Sequence, residues 1–211
     1  MKHTIDSPFV HRFVPATQLH RPVLLLLHGN GGNENDLIGL GESLLPGAAL
    51  LSPRGNVTEN GMRRFFRRLS DGVFDVEDLK ARSLELALFV ENSKTEYGLS
   101  DRPIVAVGYS NGANIASGLL FARPDLLAGA CLLRPMVPYN PDPDPDLSQK
   151  RILILAGSRD TTMPRNEPDR LAEMYLQFGA SVRLKHQPAG HALTNDDLTE
   201  AAGWLSTSFA S

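Results

Sequence analysis

Four short, uninterrupted apolar runs are the feature of this sequence that most restricts its fold. They are Val23–Leu27, Ile104–Val107, Leu127–Leu133 and Ile152–Ala156. A strand that faces water on one side alternates apolar and polar residues, whereas a strand covered on both sides is apolar throughout. The runs therefore predict the central strands of a mainly parallel sheet with helices on both faces.

The segments between the runs complete this pattern. Weaker strand signals occupy Ala48–Ser52 and Val182–His186. Helical patterning occupies Asn33–Leu45, Val76–Tyr97, Asn111–Ala122, Asn166–Phe178 and Leu193–Phe209. Gly98 and Gly179 directly follow two of the predicted helices, where a glycine commonly ends a helix. Strands that alternate with helices predict one α/β domain over residues 1–211, with right-handed crossovers.

Charge and composition exclude several classes of function. The formal net charge of −3 provides no basic surface for nucleic acid or for an anionic membrane. Four arginines lie within Arg63–Arg68, but Asp71, Asp75, Glu77 and Asp78 follow closely and balance their charge. We expect neither a nucleic-acid partner nor a membrane partner.

Cysteine content and the amino terminus bear on the compartment. A single cysteine, Cys131, allows no intrachain disulfide, and its apolar surroundings predict a buried, unreactive thiol. The first residues contain no apolar stretch of signal-peptide length, and Val23–Leu27 is too short to span a bilayer. We expect a cytoplasmic protein.

The stretch Gly108-Tyr109-Ser110-Asn111-Gly112 is the first motif that indicates chemistry. It matches G-x-S-x-G and lies between a predicted buried strand and a predicted helix. In that context the motif forms a tight strand-to-helix turn that exposes the serine as a nucleophile. An ordinary turn is the alternative interpretation, since such matches also occur by chance.

A serine nucleophile needs a base and an acid, and both have candidates. His191 lies in a loop after the last predicted strand, although it also fits a simple helix-entry loop. Asp160 follows Ile152–Ala156, although it also fits a turn or a helix N-cap. The order Ser110, Asp160, His191 along the chain is the order found in α/β-hydrolases.

The oxyanion of a tetrahedral intermediate would need two N–H donors. The residue after the nucleophile, Asn111, is one candidate, and Asn30 in the glycine-rich loop after Val23–Leu27 is the other. A phosphate-binding loop is an alternative for this segment. However, Glu34 occupies the position of the third glycine of G-x-G-x-x-G, and no G-K-[ST] follows.

Several stretches together resemble the phospholipase/carboxylesterase family of α/β-hydrolases, from about Val23 to Trp204. They are L-L-H-G-N-G-G-N, S-P-R-G-N, R-R-F-F, G-Y-S-N-G-A-N, L-I-L-A-G-S-R-D and G-H-A-L-T. This family includes small bacterial carboxylesterases and acyl-protein thioesterases. The resemblance implies hydrolysis of esters or thioesters through an acyl-enzyme, with no cofactor and no metal.

The resemblance also implies roles for individual residues. Ser110, Asp160 and His191 match the catalytic triad of the family, and the amides of Asn30 and Asn111 match its oxyanion positions. Acyl-protein thioesterases usually have Gln after the nucleophile and Leu at the position of Asn30. The sequence is therefore closer to the small bacterial carboxylesterases.

Three residues are predicted to wall the substrate pocket. Phe65 and Phe66 are candidates for one wall, and Met136 is the candidate for a second wall. Burial of one of the two phenylalanines in the core is the alternative interpretation. The stretch from Arg134 to Arg151 is too short for the helical lid of true lipases, so we predict an open site.

These observations together predict a serine carboxylesterase that cleaves small or short-chain esters. A thioesterase or lysophospholipase would use the same triad, and a non-catalytic ligand-binding protein of the same fold is an alternative of another class. The expected partner is a small-molecule ester. The oligomeric state stays open, a homodimer included.

Overall fold

The structure, a computed structural model, describes residues 9–70 and 72–209. In chain order its elements are β1 (His11–Val14), β2 (Val23–Leu27), α1 (Ile38–Leu44), β3 (Ala49–Pro53), β4 (Val57–Glu59), β5 (Met62–Arg64), β6 (Arg68–Ser70), β7 (Val73–Phe74), α2 (Val76–Glu96), β8 (Ile104–Tyr109), α3 (Asn111–Ala122), β9 (Gly129–Leu133), β10 (Arg151–Gly157), α4 (Glu167–Gln177), β11 (Ser181–Gln187) and α5 (Asn195–Ser208).

Seven strands form the central sheet, in the order β1-β3-β2-β8-β9-β10-β11. Neighbouring strands are parallel except for β1, which pairs antiparallel with β3 at one edge. The four apolar runs form β2, β8, β9 and β10, so the prediction of a mainly parallel sheet is confirmed. The two weaker strands are confirmed as β3 and β11.

Helices cover both faces of the sheet, as the apolar runs require. Leu25 and Leu27 of β2 lie in the core with residues of α2, α3 and α4, whereas Leu24 and Leu26 lie in the core with residues of α1 and α5. All four leucines are fully buried. Each contributes about 1.5–3 kcal/mol of transfer free energy, which is why neither face of β2 tolerates a polar residue.

One predicted helix is shorter than expected. We predict a helix over Asn33–Leu45, but α1 begins only at Ile38. The Asn33 side chain accepts the N–H of Asn35 at 2.9 Å, and its amide group donates to Asp36 at 2.8 Å. Side-chain bonds of this kind compete with the helical hydrogen bonds and keep the first residues in turns.

Two small hairpins, β4–β5 and β6–β7, lie outside the central sheet and were not predicted. We call residues 54–70 and 72–75 the hairpin segment. Asn60 and Gly61 join β4 to β5, with φ of 51° and 77°. An Asn-Gly pair adopts such angles readily and is a strong hairpin signal, so this element was open to prediction.

The connection between β9 and β10 contains neither helix nor strand, and every one of its residues is described. This confirms the expectation that no large cap domain covers the carboxyl edge of the sheet. No described helix is both long enough and apolar enough to cross a membrane.

Candidate active site

The turn between β8 and α3 places Ser110 in an unusual backbone conformation. Its φ is 53° and its ψ is −114°, a combination that costs a residue with a side chain about 1–3 kcal/mol. The Ser110 N–H donates to the carbonyl of Leu133 at the end of β9, at 2.9 Å. The neighbouring strand therefore holds the turn in its strained form.

The glycines on either side of this turn are required by close packing. A Cβ at Gly108 would lie 2.4 Å from the carbonyl oxygen of Gly112. A Cβ at Gly112 would lie 1.9 Å from the carbonyl oxygen of Leu27. Backbone atoms cannot move away to make room, so the tight turn excludes any larger residue at both positions.

Three predicted residues meet in one hydrogen-bonded chain. His191 Nε2 lies 3.0 Å from Ser110 Oγ, and His191 Nδ1 lies 2.7 Å from Asp160 Oδ2. Both distances are normal for hydrogen bonds, and the imidazole stands between the hydroxyl and the carboxylate. The arrangement can transfer a proton from Ser110 to His191 while Asp160 stabilises the resulting imidazolium.

The surroundings of Asp160 keep its carboxylate ionised. Burial acts to raise its pKa, but hydrogen bonds from the hydroxyl and N–H of Thr162 and from His191 outweigh burial and lower the pKa below its usual value. Thr162 donates to Asp160 Oδ1 from both groups, at 2.7 and 2.9 Å. Thr162 was not predicted as a site residue, although a threonine two residues after an aspartate is a common turn signal.

His28, the histidine of the glycine-rich loop, is hydrogen-bonded within the fold through both ring nitrogens. The Gly55 N–H donates to His28 Nε2 at 2.9 Å, so the proton is on Nδ1, which donates to the carbonyl of Gly29 at 2.7 Å. Burial lowers the pKa of His28 and keeps its ring neutral. His28 joins the loop that carries Asn30 to the hairpin segment.

The two predicted oxyanion donors flank the serine. Within the described residues, the N–H groups of Asn30 and Asn111 have no intramolecular acceptor. The side chain of Asn30 accepts a hydrogen bond from Arg64 at 2.8 Å, and that of Asn111 accepts the N–H of Phe65 at 2.8 Å. These bonds occupy the side-chain oxygens of the two asparagines, and the two backbone N–H groups remain among the donors that a substrate could use.

A cleft of about 560 Å³ opens above Ser110 and His191. Its apolar walls are formed by Phe66, Phe74, Met136 and Met163. The N–H of Met136 donates to the buried Asn114 at 2.8 Å, which holds that wall in place. Of the predicted wall residues, Phe66 and Met136 lie on the cleft.

Phe65 lies elsewhere, which corrects its prediction as a wall residue. Phe65 is not among the residues that line the cleft, and its ring packs on His28 with the ring centroids 4.7 Å apart. Its N–H is bound to Asn111, so the backbone directs the Phe65 ring beneath the loop rather than into the cleft. For Phe65 the alternative of core burial is the correct one.

Arg134 and its ion-pair partner Asp197 were not predicted as part of the site. Arg134 directly follows β9, and its guanidinium forms an ion pair with Asp197 of α5 at 2.7 Å, with both side chains 0% exposed. Asp197 also accepts the N–H of Thr194 at 2.8 Å in a capping box. Nothing in the sequence distinguishes Arg134 from a surface arginine.

The described residues contain no group of three or more His, Cys, Asp or Glu side chains arranged to hold a metal ion.

Known proteins similar to this chain include bacterial hydrolases. The chain is 46% identical to the Bacillus subtilis (strain 168) protein named "Putative hydrolase MhqD" over 86% of this chain and 91% of that protein. The Bacillus cereus carboxylesterase structure is 42% identical, covers 96% of this chain and 95% of its own, and has a TM-score of 0.93. The carboxylesterase from Mesorhizobium loti is 31% identical, covers 95% and 96%, and has a TM-score of 0.88.

These relatives define the class of the protein, a hydrolase with the α/β-hydrolase fold, and confirm its resemblance to small bacterial carboxylesterases. The model of the dienelactone hydrolase family matches residues 67–204. The chain belongs to the dienelactone hydrolase family.

Proposed function

We propose that the protein is a serine carboxylesterase that cleaves small or short-chain carboxylic esters. The observation that carries this proposal is the hydrogen-bonded chain from Ser110 through His191 to Asp160, at the floor of an open cleft. A hydroxyl 3.0 Å from an imidazole that is itself 2.7 Å from a buried carboxylate is the arrangement that activates a serine.

Acylation follows from this geometry. His191 Nε2 takes the proton of Ser110 as Oγ attacks the ester carbonyl carbon. The oxygen of the tetrahedral intermediate accepts hydrogen bonds from the N–H groups of Asn30 and Asn111, and each such donor contributes about 3–4 kcal/mol in comparable sites. His191 then returns the proton to the leaving alcohol, and the acyl group remains on Ser110.

Deacylation repeats the steps with water as the nucleophile. His191 removes a proton from a water molecule that attacks the acyl carbon, and it then protonates Ser110 Oγ as the carboxylic acid departs. Asp160 holds the imidazole in one orientation throughout, because Thr162 fixes its second carboxylate oxygen, Oδ1, with a hydroxyl that also lies 2.9 Å from His191 Nδ1.

The walls of the cleft support small substrates. The cleft volume of about 560 Å³ lies in the range of ordinary small-molecule sites. Phe66 and Phe74 stand edge to face, with ring centroids 5.1 Å apart, and form an apolar wall of limited length. The described connection between β9 and β10 contains no helical lid that could supply the long hydrophobic surface that a triglyceride chain would need.

A p-nitrophenyl ester series tests the proposal. We expect a burst of p-nitrophenol with the acetate ester, acylation of Ser110 detectable by mass spectrometry, and kcat/KM that falls beyond short acyl chains. Emulsified long-chain triglyceride serves as the opposing substrate. Turnover of triglyceride well above that of the short esters would contradict the proposed substrate class.

A further inference from the structure

Three consecutive carbonyl groups around His191 are each held by a side chain from the nucleophile's side of the cleft. Arg134 Nε donates to the carbonyl of Gly190 at 2.9 Å, and Arg134 Nη2 donates to the carbonyl of Ala192 at 3.0 Å. Between these two bonds, the hydroxyl of Tyr109 donates to the carbonyl of His191 itself at 3.2 Å. The backbone that carries the imidazole is therefore fixed on both sides and at its centre.

Both donors are directly connected to the backbone of the nucleophile. Tyr109 immediately precedes Ser110, and its ring also lies 5.4 Å from the imidazole ring. Arg134 immediately follows Leu133, whose carbonyl accepts the N–H of Ser110 at 2.9 Å. A shift of the histidine loop relative to Ser110 would therefore break bonds to residues that are fixed with Ser110.

The rest of the Arg134 guanidinium is committed to buried acceptors. Nη1 donates to the carbonyl of Leu155 in β10 at 3.1 Å and to Asp197 at 2.9 Å. Arg134 also has a φ of 56°, which a residue with a side chain adopts only where its surroundings enforce it. The planar fork of an arginine can satisfy this set of acceptors at once, whereas a lysine ammonium cannot.

A buried ion pair by itself is weak evidence for stability, because removing two charges from water costs about as much as their attraction returns. The cost of burying the Arg134–Asp197 pair has a physical reason if the pair fixes the positions of the elements that it contacts. The acceptors of Arg134 belong to β10, to the histidine loop and to α5, and these three elements meet beside the active site.

We infer that Tyr109 and Arg134 are positioning residues for the histidine base: they clamp the loop of residues 190–192 against the nucleophile turn and hold His191 Nε2 at the distance that proton transfer requires. This inference rests on the proposed function for its catalytic meaning. Its structural part, that the clamp fixes the His191 imidazole, can be measured without any substrate. We call the two residues the clamp.

The milder test removes one hydroxyl from the clamp. Tyr109→Phe keeps the ring against His191 and loses the bond to the His191 carbonyl, so we expect kcat for p-nitrophenyl acetate to fall about 3–10-fold with KM within about twofold. Tyr97→Phe is the matched control, because its hydroxyl bonds the ring of His11 at 2.7 Å far from the cleft. This control should keep the kcat of the wild type.

The stronger test is Arg134→Lys, which retains the charge opposite Asp197 but cannot hold both loop carbonyls. Misplacement of a catalytic group by about 1 Å can cost about 100-fold, so we expect kcat to fall about 10–100-fold in the folded variant at 25 °C. The downfield proton resonance of His191 Nδ1–H, which reports the bond to Asp160, should broaden or shift in both variants and stay unchanged in Tyr97→Phe.

The outcomes separate the two proposals. If the wild type hydrolyses no ester, the proposed function fails, and the imidazole resonance still decides whether the clamp fixes His191. If Arg134→Lys does not fold, Tyr109→Phe decides. Folded variants with kcat within about twofold of the wild type and an unchanged imidazole resonance would overturn the clamp and leave Arg134 a purely structural residue.

Discussion

The two sides of the cleft are held in place by different contacts. On one side, Asp160 and His191 lie in loops that are hydrogen-bonded to buried groups. On the other side, Phe66 and Phe74 lie in the hairpin segment, whose ion pairs are nearer the surface. Arg134 and Asp197 on the first side are both 0% exposed. Arg67 of the hairpin segment, which pairs with Asp75 and with Asp78 of α2, is 61% exposed. Even Arg64, which is 3% exposed in the hairpin segment, pairs with a Glu59 that is 24% exposed. The first side therefore has an ion pair in which neither partner reaches water, whereas the ion pairs of the hairpin segment keep at least one partly exposed partner.

This difference corresponds to what each side must do. Proton transfer requires groups held to within about 0.5 Å, and buried bonds that water and salt do not weaken provide that precision. A substrate wall needs only an apolar surface of suitable shape, and exposed ion pairs of about 0–1 kcal/mol suffice to hold it. We expect changes on the first side to abolish or slow the chemistry, and changes on the second to act mainly on stability or substrate range.

The largest effect is expected from Ser110→Ala. If Ser110 is the nucleophile, its loss should lower kcat about 10⁶-fold, as loss of the catalytic serine does in subtilisin, with the unfolding temperature close to that of the wild type. Ser117→Ala on the same helix is the matched control, because the Ser117 hydroxyl bonds only within the fold, for example to the carbonyl of Ala113 at 3.2 Å. Steady-state kinetics and thermal unfolding of both variants check this, and substantial turnover by folded Ser110→Ala would remove Ser110 from its proposed role.

Asp160→Asn should have the next largest effect. The amide cannot stabilise an imidazolium and favours the wrong tautomer of His191, so kcat should fall about 10⁴-fold with KM little changed. Asp169→Asn, at the exposed carboxylate of α4 that lies 3.2 Å from His186, is the control and should keep wild-type kcat. Equal kinetics in the two variants would argue against Asp160 as the acid of the triad.

A pair of substitutions compares the two sides directly. Asp197→Ala leaves Arg134 buried without its counter-ion, so the free energy of unfolding should fall by about 3–5 kcal/mol. Arg67→Ala breaks exposed pairs and should cost less than about 1 kcal/mol. Urea unfolding of both variants gives the two values, and similar losses would show that burial does not distinguish the two sides.

The pair Arg54–Glu34 predicts a pH-dependent effect where the loop of Asn30 meets the hairpin segment. Hydrogen bonds from Arg54 lower the pKa of Glu34 from 4.5 to about 2. Because the pKa is lower in the folded state, the contribution to stability is complete above about 4.5 and is lost as the pH falls through about 2.

Glu34→Gln should accordingly lower the free energy of unfolding at pH 7 and lower it much less near pH 2, with an effect at pH 7 of about 1 kcal/mol or less because Arg54 is partly exposed. Urea titrations at several pH values check this dependence. Glu42→Gln on the exposed side of α1 is the control and should leave stability unchanged at each pH. A loss for Glu34→Gln that does not depend on pH would mean that the ion pair is not its cause.

The sequence predicted the sheet and the chemical side of the cleft well. A strand buried on both faces leaves an apolar run, so β2, β8, β9 and β10 could be found, and α3 has the predicted bounds Asn111–Ala122. Ser110, Asp160 and His191 could be brought together because each follows a parallel strand, and these strands end at one edge of the sheet.

The other side of the cleft could be predicted only in part. Strands of two or three residues leave little periodicity, although the Asn-Gly pair at 60–61 was a usable signal. Phe65 and Phe66 are adjacent and equally apolar, and the contacts that distinguish them, between Phe65 and the distant residues Asn111 and His28, cannot be read from the sequence. The same limit applies to Arg134, because its burial depends on acceptors from β10 and α5 that are distant in sequence.

The most direct test of the account is labelling of the purified wild type and Ser110→Ala with a fluorophosphonate probe, followed by mapping of the labelled peptide. An activated serine should take up about one probe per chain at Ser110, and the variant should take up none. A folded wild type that does not react, or a label that persists in Ser110→Ala, would contradict the claim that the chain from Asp160 through His191 activates this serine.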